Sequence, residues 1–237
     1  MNFQGLSGNA VFNKVTQWKA STRPAVRLWS CYGCDMSSPA PSPPDARPAE
    51  ADQRLVMYNV PWSGYEAQLA LRGDAPVPRL AYLDGAMELM SPSREHERLK
   101  SSIGRLVEAF AIECGIELSP YGAWTLRAAP KASGLEPDEC YIIGTDQAKE
   151  RPDLAIEVIW TSGGIDKLEI YRRLGVPEVW TWRDGAITVS VLCETGYAPS
   201  EASKQLPGID LHQLLSFLDY PTVTQAVRAY RKALTGR

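Results

Sequence analysis

The chain has 237 residues, of which 44% are hydrophobic, 22% charged and 9% aromatic, which is the composition of an ordinary globular protein. This length suits one domain with additions better than two large domains. The formal net charge of -3 excludes a protein that coats nucleic acid non-specifically, because neutralising phosphates requires an excess of Lys and Arg. No apolar run reaches the roughly 18 residues of a membrane-spanning helix, so we expect no membrane contact.

Five cysteines are spread along the chain, and the sequence contains no secretory signal. An odd number of scattered cysteines does not suit a disulfide framework, so the pattern predicts a protein of the reducing cytoplasm. Cys31 and Cys34 form a lone CxxC, whereas a structural zinc site needs four ligands. A chance spacing is therefore the favoured interpretation of this pair.

Residues 37–54 contain five prolines and no large apolar residue before Leu55, so this stretch cannot form a packed core. We therefore predict that residues 1–54 are a disordered extension and linker and that residues 55–237 form the folded domain. The basic residues within 1–35 loosely resemble a targeting peptide. Met36 offers the simpler alternative of a shorter chain that starts there.

The first half of the folded part is predicted to hold two helices and a hairpin. Ser63 can cap a short helix that carries Tyr65 and Leu69. Asp84-Gly85, between two apolar runs, is suited to the positive φ angles of a tight hairpin turn. Ser91-Pro92 then offers the start of a long helix, whose apolar residues recur every three or four positions as far as Cys114.

After Gly115 the pattern changes to short apolar runs bounded by turn residues, which predict strands. The predicted strands are Trp124–Arg127, Cys140–Ile143, Leu154–Trp160, Val179–Trp182 and Ile187–Leu192. A helix over Ile165–Leu174 separates the third strand from the fourth, and two more helices are predicted over Leu211–Leu218 and Thr222–Leu234 on the outside of the fold.

Two carboxylates interrupt apolar strand sequence, Asp138 at the start of DECYIIG and Glu157 in the middle of LAIEVIW. A buried carboxylate is costly unless it is paired or bound to a metal, so Glu157 requires a partner. Lys167 is the nearest candidate cation, in the first turn of the helix that follows this strand. Two carboxylates on adjacent strands with a lysine nearby are the minimum for metal-assisted hydrolysis of a phosphodiester bond.

The expected cofactor is Mg²⁺, with Mn²⁺ as an alternative, because hard cations prefer carboxylate oxygens. Asp138 and Glu157 are the expected ligands, and Asp153 could help because its spacing of four from Glu157 keeps it on the same strand face. Glu88 in the hairpin and Glu95 and His96 at the start of the long helix are further polar groups that could reach the same edge.

At these residues the chain resembles the Uma2 family of restriction-endonuclease-like proteins, within the PD-(D/E)xK nuclease superfamily. The resemblance runs from about Tyr65 to Tyr197, through GAMELMSPSREHE, EPDECY, RPDLAIEVIWTSGGIDKLEIYRRLGVPEVWTW and GAITVSVL. It implies an α/β fold with a mixed sheet flanked by helices, and an endonuclease that acts on nucleic acid, with DNA as the expected substrate. It also implies that Asp138, Glu157 and Lys167 are the catalytic residues. The chain departs from the superfamily pattern at Ile159, where the (D/E)xK lysine would lie.

Each of these assignments has a plainer alternative. Asp138 could simply begin a strand, and Glu157 with Lys167 could form a structural ion pair. The loop Ser162-Gly163-Gly164 could cradle a phosphate but is more typical of a plain connection. The missing lysine at position 159 favours a second hypothesis, a non-catalytic module that binds nucleic acid or a partner. An RNA substrate and a homodimer are also compatible with the sequence.

Overall fold

The computed structural model describes residues 51–160 and 163–236. In chain order the strands are β1 (Gln53–Met57), β2 (Arg79–Leu83), β3 (Ala86–Ser91), β4 (Leu118–Pro120), β5 (Leu126–Ala128), β6 (Ser133–Leu135), β7 (Glu139–Ile143), β8 (Leu154–Val158), β9 (Glu178–Arg183), β10 (Ala186–Cys193) and β11 (Gly196–Ser200). The helices are α1 (Trp62–Arg72), α2 (Arg94–Cys114), α3 (Lys167–Leu174), α4 (Leu211–Leu215) and α5 (Val223–Thr235). Across these described stretches, no helix combines the length and apolar character needed to cross a membrane.

The strands form two sheets. The small sheet has five antiparallel strands in the order β1-β3-β2-β6-β5. The large sheet has six strands in the order β11-β10-β9-β8-β7-β4, and it is mixed because β8 and β9 are parallel while its other neighbouring pairs are antiparallel. Helix α3 makes the crossover from β8 to β9, as parallel neighbours require. The predicted α/β architecture with a mixed sheet is confirmed.

The tight turn predicted at Asp84-Gly85 is confirmed, and a second turn of the same kind lies at Asp184-Gly185. Asp84 and Gly85 have φ angles of 46° and 89°, and Asp184 and Gly185 have φ angles of 49° and 84°. Positive φ at both central residues matches the right-handed twist of a hairpin. The first turn joins β2 to β3 and the second joins β9 to β10.

Two predicted helix starts are wrong. Ser91 ends β3, and it is Ser93 whose hydroxyl accepts the backbone N–H of His96 and caps α2. Helix α1 begins at Trp62 after Pro61, without a side-chain cap, so Ser63 lies inside the helix. In both places proline fixes the chain just ahead of a helix, and the local sequence offers more than one residue able to start it.

Apolar residues cover both faces of the large sheet. On one face α2, α4 and α5 pack over side chains such as Ile156 and Trp180, and α4 and α5 contribute the buried Leu214 and Tyr230. The C-terminal helices therefore belong to the main core, although we predicted them on the outside. On the other face Cys140 and Ala155 pack with residues of α3 and of the small sheet.

The folded part begins earlier than residue 55. Strand β1 starts at Gln53 and pairs along its length with β3. Asp52 is already buried, with 7% of its surface exposed. The predicted boundary at 54 is therefore too late, while the prediction for residues 1–50 concerns positions outside the described residues.

Candidate active site

Asp138 and Glu157 are neighbours across β7 and β8. These strands are antiparallel, with Glu139 opposite Ile156, so the next step of the register places Asp138 opposite Glu157. Directly opposite residues share one face of a sheet, with Cβ atoms about 4.5–5.5 Å apart. The Oδ2 atom of Asp138 also accepts the backbone N–H of Val158, at 2.7 Å. The expected side-by-side placement of these two strands is confirmed.

The carboxylate of Glu157 is buried and holds two donors. Only 3% of the residue is exposed. Lys167 Nζ donates to Glu157 Oε2 at 2.6 Å, and the Tyr171 hydroxyl donates to Oε1. Burial, and then the neighbouring Glu157 carboxylate, raise the pKa of Tyr171 well above its usual range, so this hydroxyl remains protonated and acts as a donor.

Lys167 reaches Glu157 because of how α3 begins. It is the first residue of the helix, directly after Asp166, whose side chain accepts the backbone N–H of Glu169 and caps the helix. Its side chain is 22% exposed, so one part contacts Glu157 while another faces solvent. The expectation that this lysine points back over the end of β8 agrees with the geometry.

The loop ahead of α3 is held by the small sheet. Glu88 of β3 accepts the backbone N–H of Ile165 at 3.1 Å and lies 3.4 Å from Arg54 Nε. Arg54 of β1 also donates to the carbonyl oxygen of Gly163. Gly164 has a φ angle of 101°, and a Cβ atom there would overlap Glu88 Oε2. The geometry makes Glu88 a support of the loop.

Asp138 lies in a buried polar cluster of Asp52, Arg79, His96 and Asp138, which we call the Asp138 cluster. Asp138 is fully buried, and its Oδ1 accepts from the guanidinium of Arg79. His96 Nε2 lies 3.1 Å from Asp138 Oδ2, but without the geometry of a hydrogen bond, so among the described residues this ring nitrogen has no hydrogen-bond partner. His96 is thus placed beside Asp138.

Asp52 completes the Asp138 cluster from the other side of the imidazole. Its Oδ2 lies 3.0 Å from His96 Nδ1, and its Oδ1 accepts the backbone N–H of Ser93 at 2.8 Å. Burial alone would raise the pKa of Asp52, but the bonds from His96 and Ser93 outweigh it and lower the pKa overall. The start of α2 is therefore tied to the residue that precedes β1.

A cavity of about 380 Å³ opens beside Glu157 and Lys167, and we call it the Glu157 pocket. The small sheet contributes Arg54 and Glu88 to its lining. Its far wall comes from β9 and β10 of the large sheet: Thr181, Arg183, Thr188 and Ser190. Ile159 lines the pocket as well, so position 159 faces the same space as Glu157.

Two predicted site residues lie elsewhere. Asp153 accepts from the backbone N–H of Ile143 and from Lys149, both at 2.7 Å. Four residues along a strand span about 13 Å, so sharing a face with Glu157 does not bring Asp153 into the pocket. Glu95 pairs with Arg98 on the surface of α2.

Several residues of the site are not among the predicted ones. Arg79 and Arg54 are absent from the predicted site, and Asp52 falls within the predicted linker. Tyr171 falls within the predicted helix Ile165–Leu174 but is not among the predicted site residues. The signal that could have identified Arg79 is its position directly after Pro78, at the start of a buried strand, where a cation requires an acidic partner.

The ligand types suit a hard cation. Within residues 51–160 and 163–236, no three His, Cys, Asp or Glu side chains come together as a ready-made metal site. A pair of carboxylates is nevertheless sufficient for Mg²⁺, which proteins usually hold through one or two carboxylates together with water and substrate phosphates. Asp138 and Glu157 lie on one face of adjacent strands, and they are the two carboxylates to which such a role can be assigned.

A family model described as "Uma2: Putative restriction endonuclease" matches residues 62–220, about two thirds of the chain. The match spans α1 to α4 and therefore contains both large-sheet carboxylates and Lys167. The restriction-endonuclease-like fold expected from the sequence is confirmed. No curated protein matches the chain.

Proposed function

The chain belongs to the Uma2 family of restriction-endonuclease type, and we propose that it is a Mg²⁺-dependent endonuclease that hydrolyses phosphodiester bonds of DNA. The observation that carries the proposal is the 2.6 Å contact between Lys167 Nζ and Glu157 Oε2, beside a second carboxylate on the adjacent strand. The superfamily chemistry needs two acids and a lysine together. Here the lysine comes from α3, whereas the usual position, directly after β8, is occupied by Ile159.

Asp138 and Glu157 would hold the metal through their carboxylate oxygens, and Mn²⁺ could replace Mg²⁺ because it accepts the same ligands. When bound, Mg²⁺ supplies positive charge to the phosphate and makes a coordinated water more acidic. Tyr171 keeps Glu157 in place through the hydroxyl bond to Oε1. Arg79 holds Asp138 in the same way through its guanidinium, and the His96 ring lies beside it in the Asp138 cluster.

Lys167 would act on the phosphate and on the attacking water. Its ammonium group can donate three hydrogen bonds, and one is used by Glu157. Lys167 lines the Glu157 pocket, so the remaining donors could stabilise the negative charge that develops on the phosphate oxygens there. Removing one such electrostatic contact typically costs a factor of about 10²–10³ in rate.

The proposal is tested by metal-titrated cleavage of double-stranded DNA, single-stranded DNA and RNA with the full chain. We expect cleavage of DNA with Mg²⁺ or Mn²⁺ and none with EDTA. Lys167→Ala should slow cleavage by about 10²–10³ while Mn²⁺ binding by calorimetry is kept. Lys167→Arg should restore little, because a planar guanidinium does not replace a compact ammonium. Lys232→Ala, on the exposed surface of α5, is the matched control.

Equal rates for wild type and Lys167→Ala would show that the lysine is assigned wrongly. Cleavage of RNA but not of DNA would show that RNA is the substrate.

A second function is favoured by one observation: both carboxylate oxygens of Asp138 accept hydrogen bonds from the protein itself. Both of its oxygens already contact protein groups, Oδ1 with Arg79 and Oδ2 with the backbone of Val158. A site whose acids are neutralised by internal cations suits a non-catalytic module that binds nucleic acid or a partner protein. Absence of cleavage of any nucleic acid with any divalent metal, together with retained binding, would support this function instead.

A cytoplasmic location is part of the same proposal. Cys114, Cys140 and Cys193 are all free thiols in the described structure. Free thiols suit a reducing compartment, where disulfides do not persist. Fractionation of the cells that make the protein would test the location directly.

A further inference from the structure

A row of polar side chains crosses the large sheet next to Glu157. In the parallel register of β8 and β9, Glu157 lies beside Thr181, and in the antiparallel register of β9 and β10, Thr181 lies beside Thr188. Neighbouring strands are about 4.8 Å apart, so the row extends roughly 10 Å from Glu157. Arg183 and Ser190 lie two positions along β9 and β10 and therefore share the face.

We call Thr181, Arg183, Thr188 and Ser190 the hydroxyl wall. All four line the Glu157 pocket. The alternating positions of the same two strands, such as Trp180 and Val189, are apolar and buried in the main core. The polar side of these strands is thus the side that the pocket leaves open.

Within residues 51–160 and 163–236, protein atoms do not use the donors of the hydroxyl wall. As far as the described residues go, the side-chain hydroxyls of Thr181, Thr188 and Ser190 make no hydrogen bond to protein atoms, and Arg183 forms no ion pair. Other charged groups of the pocket are engaged: Lys167 contacts Glu157, and Arg54 contacts Glu88. Three hydroxyls and one guanidinium therefore remain available to a ligand.

The ligand that fits such a wall is a phosphodiester. Ser and Thr hydroxyls and Arg are common donors to the phosphate oxygens of nucleic acid, and these contacts position the backbone without reading the bases. Asp166, a further acid in the lining of the pocket, uses its Oδ1 atom to cap α3. Phosphates flanking the cut bond would meet donors here, while the bond itself would lie beside Glu157 and Lys167.

We propose that the hydroxyl wall binds the phosphodiester backbone of the DNA strand adjacent to the bond that is cleaved. The proposal rests on the function proposed above, because it supplies that reaction with its substrate contact. It assigns Arg183 and Thr188 to positioning of the DNA. It also accounts for a protein of net negative charge that acts on DNA, since the contact is local.

The test is equilibrium binding of a fluorescent DNA duplex to the full chain by anisotropy, in EDTA and over a series of salt concentrations. Arg183→Gln should raise Kd about five- to tenfold and reduce the slope of log K against log salt by about one. Thr188→Val, which keeps the shape but removes the hydroxyl, should raise Kd about three- to fivefold without changing the slope. Matched controls are Arg228→Gln on α5 and Thr145→Val after β7, both exposed and outside the pocket.

Loss of affinity in the wall variants alone would support the proposal. Equal Kd values for wall and control variants would overturn it, as would no binding of DNA by the wild type. Because the assay contains no metal, it separates this proposal from the proposed catalysis. Normal binding with no cleavage under any metal would leave the hydroxyl wall intact and overturn only the nuclease function.

Discussion

Replacing Gly164 by alanine should destabilise the protein more than replacing Gly163, although both glycines have positive φ angles, 101° and 107°. An L residue in this region costs about 1–3 kcal/mol, and that cost applies at both positions. The surroundings differ. Among the described residues, a Cβ at position 163 meets no atom within 4 Å, whereas a Cβ at position 164 overlaps the Glu88 carboxylate.

The additional cost at position 164 follows from what Glu88 holds. The carboxylate would have to leave the backbone N–H of Ile165, and a hydrogen bond to a charged group contributes about 1.5–3 kcal/mol. The difference in unfolding free energy between the two variants should therefore be about 2 kcal/mol. In a protein of this size that corresponds to a Tm lower by about 4–8 °C for Gly164→Ala than for Gly163→Ala.

Thermal and urea unfolding, followed by circular dichroism, measure this difference. A double-mutant cycle identifies its origin, because Gly164→Ala in a Glu88→Ala background should cost no more than Gly163→Ala. If the two glycine variants unfold at the same temperature, Glu88 does not hold the loop, and the account of how Lys167 is positioned is wrong. If the difference persists without Glu88, another contact is responsible.

Two further predictions concern buried groups. The pKa of Asp52 is lowered in the folded state, so its carboxylate adds stability above the unfolded value of about 3.8, and this is lost as pH falls through the folded value. Asp52→Asn should therefore lower the free energy of unfolding by about 1–3 kcal/mol at neutral pH. The variant should also lose less stability than the wild type when the solution is acidified. Urea unfolding curves that match the wild type at both pH values would contradict the pairing with His96. Burial raises the pKa of the Cys140 thiol to about 12, so iodoacetamide at about pH 8 should label Cys114 and Cys193 but not Cys140 in the native protein. If mass spectrometry shows that Cys140 is modified at the same rate as Cys114 and Cys193, β7 opens readily.

The parts of the site that could be predicted are those with a local signal. Glu157 is conspicuous because a carboxylate in an apolar strand requires a partner, and Lys167 follows in the next element. Asp138 marks the start of another strand with the same pattern. The apolar runs predict that the two strands pair, whereas the register that places Asp138 opposite Glu157 is seen only in the structure.

The parts that could not be predicted depend on contacts between distant segments. Asp52 lies 44 positions before His96, in a stretch whose prolines indicate a linker, so no local feature of the sequence predicts its burial. Arg79 meets Asp138 only because two sheets pack together. Asp153 was predicted in the site and lies outside it. An even spacing along a strand predicts that two residues share a face, but it does not bring their side chains close together.

The move of the lysine from the strand to the helix makes the site depend on the small sheet. At position 159 a lysine would be fixed by the strand itself, since the backbone N–H of Ile159 bonds to the carbonyl oxygen of Trp182. Lys167 instead follows a glycine loop, and the groups that hold this loop, Arg54 and Glu88, belong to β1 and β3. The small sheet therefore sets where the ammonium group lies relative to Glu157. This dependence gives a physical reason for a buried Glu88 beside the proposed active site that does not require it to bind metal or substrate.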